Sequence, residues 1–234
     1  MKKYLVFVLL LTSVCLFAQQ KNAAKILDAV KQKFNKVEDY QADVTGKIDI
    51  SFAKVPETKA TVYFKQPDKV KIDSKGFAML PKQSVNFSPV EMLNGNYNAF
   101  FVKLDTVDNQ KLDVIKIIPN NDSSEIILST LWIDTDNSLV RRVELVGKKT
   151  GTTTITLDYD NTEYSLPSKV TFSFNLGDVD MPQQMSGQQQ DSNNNQGRHG
   201  RRFQSISGKV TLTYSNYKIN KGIPDSFFEK GEKK

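Results

Sequence analysis

Apolar residues in this chain recur at two periods, and the change from one to the other falls near Tyr40. Between Asn22 and Val37, the residues Ile26, Val30, Phe34 and Val37 stand at steps of four, four and three, so they share one helix face. Leu27 widens that stripe, while Lys25, Asp28, Lys31, Gln32 and Lys36 fill the rest of the surface. Asn22 stands where an N-cap is needed. Past Tyr40 the period becomes two: Val44, Ile48, Ile50 and Phe52 alternate with Asp43, Thr45, Lys47, Asp49 and Ser51, which predicts a long half-buried strand. The alternation returns at Val62 and Phe64, Val70 and Ile72, Ile115 and Ile117, Ile126 to Asp134, Leu139 to Val146, Ile155 to Tyr159, Val170 to Phe174, and Val210 to Tyr214. About ten strands with short turns are too many for a flat open sheet. The pattern predicts a mainly β protein, a curled antiparallel sheet or partial barrel with the N-terminal helix packed against it.

Two segments follow neither period. Met181 to Gln204 is rich in Gln, Asn, Gly and Arg and offers little to a core, so it reads as a long loop inside the domain. Gly76 to Tyr97 is broken by Pro and Gly yet contains Phe77, Met79, Leu80, Val85, Phe87, Val90, Met92 and Leu93. These side chains either plug the core or form a flap over an apolar cavity, a role that suits adaptable Met and Phe.

The first residues concern location. Lys2 and Lys3 precede an apolar run from Tyr4 to Phe17, and Ala18 precedes Gln19 and Gln20. The pattern is that of a secretory signal peptide, too short for a membrane span of about 20 residues. Cleavage is expected after Ala18, which leaves residues 19–234 as one domain in the periplasm. Val14 is a poor residue to precede an acylated Cys15, so no lipid anchor is expected, and the mature chain then has no cysteine. Without Lys2 and Lys3 the formal charge falls from +6 to +4, spread along the chain, which argues against a nucleic-acid partner.

Candidate chemistry is sparse. His199, the one histidine, lies in the polar loop, so neither a catalytic base nor a transition-metal site is expected. Asp134 to Ser138 reads as a polar turn between strands, since Leu139 stands where a calcium loop needs Gly. Asp158 and Asp160 lie on the solvent side of a strand with no second acid opposite, so no glycosidase pair is formed. Arg141 shares strand parity with Leu139, Val143 and Leu145; it either snorkels to water or turns inward to bond backbone carbonyls of a closing lid. No catalytic residue, cofactor or metal is assigned.

A helix leading into Tyr40, Ala42 and Asp43, then a strand and a hairpin centred on Pro67 with Lys71 beyond it, resembles the start of the outer-membrane lipoprotein carrier (LolA-type) family. The stretches 131–145, 153–161 and 166–174 resemble its later hairpins. The resemblance implies an unclosed antiparallel barrel covered by the helix and a lid, with a hydrophobic cavity for lipoprotein acyl chains. It implies a non-enzymatic, monomeric periplasmic carrier that sorts lipoproteins to the outer membrane and meets inner- or outer-membrane acceptor proteins. A lipoprotein- or lipid-binding sensor on the same fold is the alternative, and a surface hydrolase stands further off. The acyl-chain lining is then assigned to Ile48, Ile50, Phe64, Ile72, Met79, Leu80, Phe87, Met92, Leu93 and Trp132, and the lid and hairpin to Gln66, Pro67 and Arg141. In the family an Arg before the hairpin proline helps hold the lid shut; Gln66 stands there in this chain. Lys65, Lys69 and Lys71 form a basic edge on the hairpin. That edge either meets anionic headgroups or an acidic partner, or protects a solvated strand edge from aggregation.

Overall fold

The computed structural model describes residues 21–50, 53–74, 88, 90–121, 123–148, 151–180 and 203–229. The expectations for the signal peptide with Cys15, for Phe52, for Met79, Leu80 and Phe87, and for residues 181–202 with His199 lie outside these residues.

Helix α1 spans Ala23–Phe34. Asn22 caps it, its side chain accepting from the backbone N–H groups of Ala24 and Lys25, and Lys31 and Lys33 in the last turn suit the negative end of the helix dipole. Ile26, Leu27, Val30 and Phe34 are its buried face. The helix stops short of Val37 because its end tightens: Lys36 and Val37 donate to the carbonyls three residues back, at Lys33 and Phe34. That turn keeps Val37 fully buried although it is no longer helical.

The strands are β1 (Asp39–Ile50), β2 (Ala53–Lys54), β3 (Thr58–Lys65), β4 (Lys69–Asp73), β5 (Tyr97–Val107), β6 (Gln110–Pro119), β7 (Ile126–Asp134), β8 (Leu139–Gly147), β9 (Gly151–Asp158), β10 (Lys169–Asp180) and β11 (Phe203–Ile219). A 3-10 turn at Glu91–Leu93 precedes β5, and a short helix α2, Ser226–Glu229, follows β11. The eleven strands form one sheet in the order β4-β3-β1-β11-β10-β9-β8-β7-β6-β5, with β2 beside β1. Every pairing is antiparallel, and β4 and β5 end the order without joining, so the barrel is unclosed. Register shifts along the β1–β11, β5–β6, β7–β8 and β10–β11 ladders supply the extra twist that curls so wide a sheet. Asp180 pairs with Phe203, so residues 181–202 connect the two arms of one hairpin.

Strand β5 was not evident from periodicity. Its register slips between Phe101 and Lys103, so Phe100, Phe101 and Val102 are consecutive rather than alternating. The two-residue turn Asp108-Asn109, both at positive φ, joins it to β6, as a tight hairpin requires.

Candidate functional site: the concave face of the sheet

Residues paired across neighbouring strands line up in rungs. One rung crosses eight strands: Ile48, Val210, Phe172, Ile155, Val143, Leu131, Ile115 and Phe101. A second runs through Ile50, Gly208, Phe174, Thr153, Leu145, Ser129, Ile117 and Ala99. Toward the other edge Tyr40, Ala42 and Val44 oppose Phe64, Val62 and Ala60. Curling the sheet turns these rungs into an apolar trough.

Helix α1 lies in that trough. Its buried face belongs to one core cluster with Val62, Phe64, Leu131, Ile133, Ile155, Leu157 and Leu212. Val90 and Leu93 belong to the same cluster and Met92 packs against it, so the end of the flap-like segment is part of the cover. At the C-terminal end of the helix, Phe34 lies 6.0 Å from Phe64, which stacks at 5.3 Å on Tyr40. Tyr40 in turn meets Tyr217 edge-on, and Tyr217 stacks with Tyr214. Tyr217 donates to the carbonyl of Pro167 at 2.8 Å, and Tyr159 to that of Val140 at 3.0 Å. Burial holds the phenols of Tyr159, Tyr214 and Tyr217 above their ordinary pKa, so they remain neutral donors. A cavity of about 20 Å³ remains among Phe34, Tyr40, Ser88, Ser165, Leu166, Pro167, Tyr214 and Tyr217. That is room for about one water molecule.

Of the residues assigned from sequence, Ile48, Ile50, Phe64 and Ile72 stand on the concave face, with Ile48 and Ile50 half-buried at the far end of β1. Leu93 is 1% exposed, which makes it a core residue. Trp132 stands on the other face. Its neighbours Leu131 and Ile133 are in the core cluster, and its own rung holds Val114, Arg142 and Thr156. The indole N–H bonds Asp105 at 3.0 Å and the Arg142 guanidinium covers the ring at 4.7 Å, so the acyl-chain role does not pass to Trp132. The sequence assigned no lining role to Leu166 and Pro167, which border the cavity of about 20 Å³.

Two polar ties close the helix end onto the sheet. Gln66, in the β3–β4 turn with Pro67, donates from its side chain to the Val37 carbonyl and from its backbone to Glu38, both at 2.8 Å. Lys33 donates to the Asn137 carbonyl at 2.6 Å in the β7–β8 turn. That turn is closed by Asp134, which accepts from the backbone and side chain of Asn137. Arg141 is the extra residue of a bulge, since Val140 pairs with Ile133 and Arg142 with Trp132. Its parity with Leu139 and Val143 therefore does not hold: Val143 and Val140 join the core cluster and Leu139 does not. Arg141 bonds the Asp134 carboxylate at 3.1 Å and lies over the Tyr159 ring at 5.1 Å, so its partner is a carboxylate rather than lid carbonyls. Burial raises the pKa of Asp134, but the bonds from Asn137 and Arg141 outweigh it, and the carboxyl titrates below its ordinary value.

Among the described residues no group of three His, Cys, Asp or Glu side chains converges as a metal would need, and no helix is long and apolar enough to cross a membrane. The chemistry on offer at this site is apolar burial. No protein-family model matches the sequence, and no curated protein matches it. Solved structures do resemble it. An outer membrane lipoprotein-sorting protein domain from Vibrio parahaemolyticus aligns at TM-score 0.55 and 14% identity, over 89% of this chain and 98% of that one. A LolA superfamily protein from Nitrosomonas europaea aligns at 0.53 and 12%, over 89% and 97%. A DUF1329 family protein from Desulfovibrio piger aligns at 0.54 and 10%, over 89% and 97%. At such identities the likeness concerns the fold, and on that ground the chain has the curled-sheet fold of the LolA superfamily and of outer membrane lipoprotein-sorting domains.

Proposed function

We propose that this protein is a non-enzymatic periplasmic carrier that takes the acyl chains of a lipoprotein or lipid into the trough of its curled sheet. The observation that supports this reading is the apolar rung across eight strands, with the 12-residue helix α1 and the end of the flap-like segment packed into the trough. A cover of that size can leave as a unit, and the apolar face beneath it is what an acyl chain needs. The folds it resembles include a domain described as lipoprotein-sorting, which agrees with such a cargo.

The test is titration of the mature chain with a fluorescent fatty-acyl probe and displacement by a synthetic lipopeptide. Saturable binding at one site is expected. Ile48→Gln should weaken binding several-fold, because the side chain is half-buried on the concave face and an amide there would lose its hydrogen bonds to water under bound cargo. Its melting temperature should change little, since Ile48 stands outside the closed core cluster. Absence of saturable binding of acyl probes and lipopeptides would remove the carrier reading and favour an adaptor that binds a protein partner.

A further inference from the structure

After β11 the chain turns back along the outer face of the β3–β4 hairpin. The root of this tail is firmly built. Asn220 accepts from the Glu38 backbone N–H at 2.8 Å and donates from its side chain to the Lys36 carbonyl at 2.8 Å. Asp39, 2% exposed, accepts from the backbone N–H groups of Lys221, Gly222 and Ile223. Gly222 sits at φ +78°, where a side chain would be strained.

The tip is held differently. Lys65 reaches the Ile223 carbonyl at 2.8 Å and the Asp225 carboxylate at 2.6 Å, and Lys69 reaches the other oxygen of Asp225 at 2.8 Å. Lys71 donates to the Phe227 carbonyl at 2.7 Å and lies 4.2 Å above its ring, which rests 4.6 Å from Tyr63. No residue of α2 is buried, and Asp225 is 57% exposed. Exposed ion pairs are individually weak and fade with salt. A tip held this way is exchangeable, whereas its root is not.

The hairpin has a feature of its own. Lys65 and Lys69 are paired directly across β3 and β4. Like charges at such positions repel. The arrangement becomes favourable when an anion sits between the two ammonium groups, as Asp225 does. Two residues further, an aromatic ring fits between Tyr63 and Lys71. The surface thus recognises a carboxylate followed, at a spacing of two, by an aromatic side chain.

We propose that the outer face of the β3–β4 hairpin, formed by Tyr63, Lys65, Lys69 and Lys71, is a docking site for an acidic–aromatic peptide segment of a partner protein, occupied by the chain's own Asp225 and Phe227 until the partner displaces them. The site is on the face opposite the trough, and it stands whether or not the trough binds acyl chains. The Lys edge is therefore satisfied by the chain itself in this state, and the partner it suits is a protein segment with the tail's own chemistry.

The test uses a labelled synthetic peptide of residues 222–229 and the mature full-length chain. In Asp225→Ser/Phe227→Ser, which frees the site, the peptide should bind saturably and at least tenfold more tightly than to wild type. Adding Lys65→Glu and Lys69→Glu should remove that binding, and so should replacing the aspartate and the first phenylalanine in the peptide. A fluorophore on Ser226→Cys, in an otherwise native chain, should report displacement of the tail as unlabelled peptide is added. Equal peptide binding by wild type and the freed variant, or no displacement of the labelled tail, would overturn the proposal. Binding of the freed variant to anionic vesicles but not to the peptide would replace it with a membrane contact.

Discussion

Asp113 shows how one residue can hold a charge in an apolar surface. It is 1% exposed and lies across from Ile133 on the concave side of β6. Both its oxygens accept from the Lys21 ammonium, at 2.6 and 2.9 Å, and one accepts from the Thr135 hydroxyl at 2.6 Å. Lys21→Ala leaves the buried carboxylate with one described side-chain partner, so stability should fall by about 1–3 kcal/mol. Asp113→Leu in the Lys21→Ala background should recover most of that, because an apolar group of similar size needs no partner. Urea unfolding of the wild type and the two variants checks it; no recovery in the double variant would mean that the pair is not the cause. Sequence parity says nothing of such a pair, as the partners are 92 positions apart. It also fails at Arg141, whereas at Trp132 it holds, between the core residues Leu131 and Ile133, and the lining assignment went against it. Arg141 is the bulged residue, which breaks the alternation along β8, and Trp132 has an indole N–H that finds a carboxylate on the outer face. Where the ladder is regular, as at Ile48, Ile50, Phe64 and Ile72, parity alone places the side chain.

At the scale of elements, α1 and the regular strands are legible because each has one buried face and one period. Strand β5 is not, since a bulge sets three apolar residues in succession and leaves Phe100, Val102 and Leu104 exposed. The tail is not legible either, because its contacts with the hairpin are polar and long-range. Those contacts have a pH dependence. Bonds from Lys65 first, then Lys69, lower the pKa of Asp225 from 3.8 to about 2. A carboxyl depressed in the folded state contributes its full stabilisation above the unfolded value and loses it as pH falls through the folded one. Docking of α2 should therefore be intact above about pH 5 and released between about pH 4 and pH 2. The Ser226→Cys fluorophore or the Tyr63 ring resonances would show this, and Asp225→Asn should behave at neutral pH as the wild type does in acid. The tie at Gln66 gives a second element-level expectation. Gln66→Glu sets a carboxylate against the Val37 carbonyl where an amide donor stood. Stability should drop by about 0.5–1.5 kcal/mol, and amide exchange should quicken at the C-terminal turn of α1 and not in β9 or β10.

For the whole molecule, the question is what an acyl chain would displace on the proposed reading, since the cavity between Phe34, Tyr40, Leu166 and Tyr217 has room for only about 20 Å³. Lifting α1 exposes Ile26, Leu27, Val30 and Phe34, which give up about 6–12 kcal/mol at about 1.5–3 kcal/mol per side chain. A chain with about 14 buried methylenes returns about 11 kcal/mol at about 0.8 each, and both figures are upper estimates. The exchange is close to balanced, which suits a carrier that must also release its cargo. A chain with about eight methylenes returns only about 6 kcal/mol and does not offset most of the range for the lid. Affinity should therefore climb steeply with chain length, by up to about fourfold per methylene, with C16 chains bound and C8 chains not. Displacement of the fluorescent probe by fatty acids from C8 to C18 measures this. Hydrogen exchange on the same samples locates it: with long chains, the amides of α1 should lose protection while those of β1, β10 and β11 keep theirs. A competing possibility is adsorption on the exposed Phe100 and Leu104 of β5, which would leave α1 protected. Binding that does not depend on chain length, or that leaves α1 as protected as before, would mean that cargo does not enter the trough.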